Sequence, residues 1–292
     1  DETSVTPTNL MHLSRHDRAW PAVLDTIEAA PSELWLRGRP ELLAFEPRVA
    51  VIGTRAPTPY GEGQARRFAA ALARAGVVVV SGLARGIDSA AHHAALEAGG
   101  ATIAVLGNGV DRPWPAGPLA ERMALEGLLV SEYAPGTPPR RAHFPQRNRL
   151  ISGLCSAVVV VEAAQASGSL ITARWAIDQG RSVFALPGRV DHPMARGCHR
   201  LLREGAWLVE DPEEVLAELG VSCAPAAATA RAGDETSGEA LALLDQLRGE
   251  SLTPDELAER SGRALAEVLS TLVELEVAGS VIRGAGALYR LA

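Results

Sequence analysis

Residues 77–96 read VVVVSGLARGIDSAAHHAAL. Four successive valines offer no polar face, which fits a strand covered on both sides. The glycine-bounded turn after them leads into an alanine-rich stretch that closes at Gly99 in the manner of a helix. The same strand, loop and helix unit recurs in both directions along the chain, with strands expected at 49–53, 77–81, 102–107, 128–131, 157–162, 182–186 and 207–209. Between the first two, Thr58 and Pro59 supply an N-cap and a first-turn proline for a helix ending at Gly76, and residues 169–180 have the same glycine-terminated form. This rhythm predicts an α/β fold, an open, Rossmann-like, doubly wound and mostly parallel sheet over residues 47–220.

The chain has 292 residues, 47% of them apolar, enough for one large core and a small second domain. Residues 1–46 are expected to form a partly helical N-terminal segment. Residues 221–238, VSCAPAAATARAGDETSG, lack periodic apolar positions and read as a flexible linker. In 239–292, Leu241, Leu244 and Leu247 mark one helix, Thr253-Pro254-Asp255-Glu256 caps a second, and residues 265–277 make a third before a hairpin around Gly284 and Gly286. A small C-terminal winged-helix domain is predicted.

No apolar run is long enough to span a bilayer, and the opening residues lack the layout of a secretion signal, so a cytoplasmic location is expected. Cys155, Cys198 and Cys223 are too scattered for a disulfide framework or a zinc ribbon, and no metal or cofactor is expected. The net charge of −7 argues against a nucleic-acid partner until it is divided by region. Residues 47–220 carry eighteen arginines against sixteen acids and are the only positive part of the chain. Every fixed cation is arginine. The absence of lysine excludes Walker-type and Schiff-base chemistry.

In open parallel sheets ligands bind beyond the carboxyl ends of the strands. The loops there are Gly53-Thr54-Arg55, Ser81-Gly82-Leu83-Ala84-Arg85-Gly86, Gly107-Asn108-Gly109 and Ser167-Gly168-Ser169. Glycines admit a ligand close to the backbone, and free N–H groups at helix starts attract anions, so phosphate is the expected ligand class. The first loop is not GxGxxG, and no acid follows the second strand to hold a ribose, which argues against a dinucleotide. The densest cation cluster is Arg140, Arg141, His143, Phe144, Arg147 and Arg149, arranged like a backbone-tracking groove with a stacking platform.

Helical spacing puts Arg147 on the side of the inward stripe Leu150, Ile151 and Leu154, near the ligand edge, and turns Arg149 away. Arg147 is therefore the favoured phosphate ligand, and its replacement by alanine is expected to leave the thermal melt nearly unchanged. The alternative pairs Arg149, or Arg147, with an acid such as Glu162 and packs Phe144 in the core. Ser89, His92 and His93 share a helix with Asp88, but that spacing alone makes no nucleophilic site, and a non-enzyme is expected.

The blocks VAVIGTRAPTPYG (49–61), the 77–96 segment, GGATIAVLGNGVD (99–111), FPQRNRLISG (144–153), VVVVEAAQASGSLITARWAIDQGR (158–181), VFALPG (183–188) and GCHRLLREGAWLV (197–209) resemble, in this order, those of the DNA-processing protein A (DprA/Smf) family. Trp20 stands where that family usually has tyrosine. The resemblance implies a homodimer that binds single-stranded DNA, protects it during natural transformation and delivers it to the RecA recombinase. It further implies a DNA pocket of Gly53, Arg55, Ser81, Gly82, Phe144, Arg147, Asn148, Arg149, Gly168 and Ser169, and a dimer surface around His199, Leu201 and Leu202. The rival enzyme reading, a nucleotide phosphoribohydrolase of the lysine-decarboxylase-like Rossmann group, needs PGGxGTxxE, whereas residues 167–172 read SGSLIT with no glutamate close behind. Three glutamates on the third C-terminal helix argue that the winged helix contacts protein or modulates dimerisation and does not read a duplex groove.

Overall fold

The computed structural model describes residues 10–221, 238–277, 280–284 and 287–291. The chain divides into two compact units, Asp1–Cys223 and Ala224–Ala292. The expected linker, apart from Val221 and Gly238, lies outside the described residues, as does Gly286 of the expected hairpin turn.

Among the described residues, the first unit is built on nine strands: β1 (Leu10–Ser14), β2 (Glu33–Gly38), β3 (Arg48–Ile52), β4 (Val78–Ser81), β5 (Thr102–Val105), β6 (Leu128–Ser131), β7 (Ala157–Val160), β8 (Ser182–Ala185) and β9 (Trp207–Leu208). They lie side by side in the order β1-β2-β6-β5-β4-β3-β7-β8-β9. From β6 to β9 every neighbouring pair is parallel. The doubly wound, mostly parallel sheet expected from the valine-rich runs is present. Its strand order reverses at β3, whose neighbours are β4 on one side and β7 on the other.

Among the described residues, seven α-helices cover the sheet: α1 (Pro59–Arg74), α2 (Ile87–Glu97), α3 (Pro118–Glu126), α4 (His143–Gly153), α5 (Ser169–Asp178), α6 (Arg196–Arg203) and α7 (Pro212–Glu218). Alternate residues of β3, β4, β7 and β8 feed two cores. Val49, Val51, Val79 and Val159 pack with Phe68 and Leu72 of α1, Ala91 of α2 and Val215 of α7. Ile52, Val80, Val105 and Val160 pack with Leu150, Ile151 and Leu154 of α4, Leu170 of α5 and Cys198 and Leu201 of α6. Burial on both faces is why these strands read as unbroken apolar runs.

The N-terminal segment, expected to be partly helical, also contributes strands. It holds two strands, β1 and β2, and two short 3-10 helices, Ala22–Thr26 and Pro40–Ala44. The strands extend the sheet antiparallel beyond β6, with Trp35 opposite Ser131 and Leu36 opposite Val130. Leu24, Leu34 and Leu36 are buried in the same core as α4, so this segment is part of the first unit.

The second unit comprises α8 (Gly238–Gln246), α9 (Pro254–Ser261), α10 (Leu265–Val277) and a hairpin of β10 (Val281–Arg283) and β11 (Tyr289–Leu291). The Thr253 and Glu256 side chains form the expected reciprocal cap of α9. On α8 the buried positions are Ala240 and Leu243, followed by Leu247 beyond its end, while Leu241 is exposed. Of the expected stripe, Leu244 and Leu247 pack in this core and Leu241 does not.

Arg48 ties the N-terminal segment to the sheet. Its buried guanidinium donates to the carbonyls of Leu154 (2.5 Å), Leu43 (2.6 Å) and Phe45 (3.1 Å) and pairs with Glu46. Arg48→Met keeps much of the apolar volume but leaves buried carbonyls without donors. It is expected to lower unfolding stability by about 3 kcal/mol, read as a drop in the urea midpoint.

Candidate functional site

At β3 the helices that follow neighbouring strands leave toward opposite faces of the sheet, opening a crevice beyond the strands' carboxyl ends. The loops on its two sides are joined directly. Thr54 N donates to the Glu162 carbonyl (2.7 Å), and the Glu162 carboxylate accepts from the backbone N–H of Thr58 (2.9 Å) and from its hydroxyl (2.6 Å). Glu162 is thereby committed to the start of α1 and pairs with neither Arg147 nor Arg149.

A cleft of about 630 Å³ lies at this crevice, lined by Gly53, Arg55, Phe144, Arg147, Asn148, Gly168 and Ser169 among the residues expected to bind ligand. The lining also includes Asp88, Arg141, Ile151 and Thr172, which the expected set omitted. Arg55 is exposed, with its guanidinium carbon 5.9 Å from the centroid of the half-buried Phe144 ring. Arg141 is exposed too, and neither arginine has an acid partner among the described residues. Asn148 Nδ2 reaches the Gly168 carbonyl at 3.4 Å, and the Ser167 and Ser169 hydroxyls meet at 2.8 Å. The cleft thus offers two free cations, an aromatic face and small polar groups.

Arg147 is placed differently from the expectation. It is 3% exposed, and its Nη1 donates to the carbonyls of Gly82 (2.8 Å) and Val105. Asp88 lies beside it and accepts from Gly82 N at 3.1 Å. Burial, the largest influence, pushes Arg147 down to about 10, opposed by the attraction of Asp88. Burial likewise raises Asp88, opposed first by Arg147 and then by donors from Gly82 and Ala84. The guanidinium is a strut beneath the cleft, because the spacing that aligned it with Leu150 and Ile151 carries it into the interior.

Arg149 is also internal, with Nη1 and Nη2 paired to Glu132 at 2.7 and 2.6 Å and Nε donating to the Ala29 carbonyl. Ser81 is fully buried and donates to the Val51 carbonyl. At Gly82 a Cβ would sit 2.7 Å from the Arg147 guanidinium, so a side chain there would displace that strut. Ser81, Gly82 and Arg149 do not line the cleft.

Of the residues expected at a dimer surface, Leu201 is 2% exposed and belongs to the core, which corrects its assignment. His199 donates from Nε2 to the Gly188 carbonyl (3.0 Å), and Leu202 is half-buried against the core. No nucleophilic pair forms around Ser89. Its hydroxyl donates to the Ala84 carbonyl (2.6 Å), while His92 is fully buried. Because the Thr102 hydroxyl gives its proton to the Val79 carbonyl, it accepts from His92 Nδ1, fixing the neutral Nδ1–H tautomer.

A doubly wound sheet with a ligand cleft at its reversal point, followed by a winged helix, defines the class of this protein as a Rossmann-like domain with a C-terminal helical module. Within that class, the chain belongs to the DNA recombination-mediator protein A family, the DprA/Smf proteins. The profile of that family matches residues 11–220, and that of the DprA winged helix domain matches residues 224–287. The chain is 44% identical over 281 residues to Protein Smf of Escherichia coli, spanning 93% of this chain and 74% of that one. It resembles the crystal structure of DNA processing protein A from Streptococcus pneumoniae, with a TM-score of 0.69, 45% identity and coverage of 72% of this chain and 75% of that one. It also resembles DNA processing protein A from Helicobacter pylori, whose structure is described as giving insight into its unique single-stranded DNA binding mode. The TM-score is 0.66 at 31% identity, covering 73% of this chain and 96% of that one.

Two measurements separate struts from free groups. Arg147→Ala strands Asp88 and two carbonyls and is expected to lower stability by about 3–5 kcal/mol, whereas Arg55→Ala stays within about 0.5 kcal/mol, both read from urea midpoints. This corrects the expectation of an unchanged melt for Arg147→Ala. Burial holds His92 down at about 3, so between that value and its ordinary 6.5 the unfolded chain binds the extra proton. Stability is therefore lost as pH falls through that window. Relative to His92→Leu, the wild type should lose about 1.4 kcal/mol per pH unit there, with the opposite contribution of Asp88 cancelling in the difference.

Proposed function

We propose that the cleft at the strand reversal holds single-stranded DNA. The observation that carries the reading is the exposed Arg55 guanidinium facing the Phe144 ring, with Arg141 on the same cleft and no acid paired to either among the described residues. Two cations beside an aromatic face suit a backbone that passes phosphates while a base stacks, without reading sequence. The H. pylori relative, whose described binding mode is for single strands, supports the same ligand class. Gly53, Asn148, Gly168 and Ser169 line the rest of the path, while Ser81, Gly82, Arg147 and Arg149 hold its walls.

On this reading the protein is a binding protein and not an enzyme. It protects incoming single strands and loads the RecA recombinase during natural transformation and recombination, working in the cytoplasm as a homodimer. Family membership supports these steps. The winged-helix unit serves protein contacts: α10 exposes Leu265, Leu269 and Val273 beside Glu267, Glu274 and Glu276, a surface unsuited to a duplex.

Fluorescence anisotropy with oligo-dT across a salt series tests the reading. Neutralising two phosphates per protomer gives a slope of about −1.4 in log affinity against log salt, and Arg55→Ala should reduce it by about 0.7. Unchanged affinity in Arg55→Ala and Arg141→Ala would remove the cleft from consideration. Release of adenine from AMP would favour the phosphoribohydrolase instead.

A further inference from the structure

Beyond the central cleft, the carboxyl edge of the sheet continues along the loops that follow β5 and β6. The strand order sets these on the opposite side of β3 from β8 and β9, and so away from α6, where the dimer surface is expected. Phe144 marks the junction. A Cβ on Gly107, which follows β5, would lie 3.0 Å from the Phe144 ring, and His143 donates from Nδ1 to the Gly107 carbonyl (3.0 Å). Tyr133, from the loop after β6, stacks on His143 with ring centroids 4.0 Å apart. The aromatic lining of the cleft therefore adjoins the loop of residues 106–117 that leads from β5 to α3.

That loop presents a tryptophan to solvent. Trp114 is 55% exposed, and its ring makes no hydrogen bond or aromatic contact among the described residues. A lone exposed apolar side chain needs no explanation, but this one has cations for company. Arg112 is exposed and only two residues away, a span of no more than about 7 Å. Its nearest acid, Asp111, lies 3.8 Å off and is already engaged by Gly136 N at 2.8 Å. Arg140, next to the cleft-lining Arg141, is exposed and has no acid partner among the described residues.

The indole is carried on a fixed backbone. Asn108, fully buried, donates to the carbonyls of Gly109 (3.2 Å) and Arg112, and Arg112 N donates to the Gly109 carbonyl (3.2 Å). Gly109 N donates in turn to the Thr137 carbonyl (3.0 Å), which joins this loop to the one bearing Arg140 and Arg141. A Cβ on Gly109 would lie 2.5 Å from the Asp111 carboxylate and 2.9 Å from the Ala134 carbonyl, so the loops meet closely there. Pro113 and Pro115 restrict the chain on either side of Trp114. Such a ring can receive a ligand at little cost in ordering.

We propose that Trp114 is a second stacking platform, which takes a base of the same single strand after it leaves the central cleft past Phe144 and His143. The proposal rests on the single-strand reading of that cleft. It assigns Arg140 and Arg112 to the phosphates between the two platforms. Every base has a face that can stack, so this subsite lengthens the bound segment without reading its sequence.

The test compares two strands of about 24 units, oligo-dT and the same sugar-phosphate backbone without bases, for wild type, Trp114→Ala and Trp114→Phe, each checked for mass by sedimentation. Trp114→Ala should bind oligo-dT about 10-fold more weakly and the baseless strand as wild type does. Trp114→Phe should keep most of the oligo-dT affinity, and oligo-dT should quench less of its tryptophan emission than in wild type. In Arg112→Ala/Arg140→Ala the salt slope on oligo-dT should be shallower than in wild type by about 1.4. Equal oligo-dT affinity of wild type and Trp114→Ala, or equal weakening on both strands, would overturn the platform. A change in mass with unaltered DNA affinity would also overturn it, assigning the indole to a protein contact. With Arg55→Ala still weakened, those results leave the cleft intact. Failure of wild type to bind oligo-dT would instead remove the single-strand reading, and the platform with it.

Discussion

The Arg147 guanidinium, held out of water beside Asp88, governs the geometry of the cleft. A buried cation that makes no compensating bonds is costly, and this one donates to the Gly82 and Val105 carbonyls and is attracted by the nearby Asp88 carboxylate without a direct bond to it. Those acceptors lie at the ends of β4 and β5, while the arginine belongs to α4, so one side chain draws three elements to a common point. Asp88 completes the arrangement by accepting from Gly82 N, which fixes the turn into α2. Loosening either charge would release the floor on which Arg55 and Phe144 meet.

A division of labour among the arginines follows. Arg48, Arg147 and Arg149 bind backbone carbonyls and acids inside the first unit and join segments distant in sequence. Arg55 and Arg141 remain in water at the cleft. A chain of net charge −7 can present a locally positive rim because acids elsewhere are engaged with other arginines, as Glu97 is with Arg66 and Asp211 with Arg67. Local placement, more than the total, decides what an anionic strand would meet.

Much of this was legible in the residues, for identifiable reasons. Strands buried on both faces must be apolar throughout, so β3 to β8 announce themselves in runs such as VVVV, and the crevice follows from their order. The strands β1 and β2 were missed because LMHLS and ELWLRG are edge or near-edge segments with mixed polarity, and β2 joins the sheet through β6, which is remote in sequence. Seven of the ten expected pocket residues line the cleft. The arginines were misranked by the periodicity argument itself. A helical position aligned with leucines faces the interior, so Arg147 is buried and Arg141, ahead of the helix, is left free. Leu201 fails for the same reason, since its spacing from Cys198 places both against the sheet.

The absence of lysine bears on the same architecture. An ammonium group buried as Arg147 is would readily lose its proton, and its three donors diverge from a point. A guanidinium stays charged at neutral pH even when burial lowers it to about 10, and here its Nη1 donates to both the Gly82 and Val105 carbonyls. Lysine could replace Arg55 or Arg141 in attracting phosphate, but it could not reproduce the strut beneath them. Arginine is dispensable at the rim and required at the floor, so the strictest chemical demand in this site falls on a residue that meets backbone carbonyls.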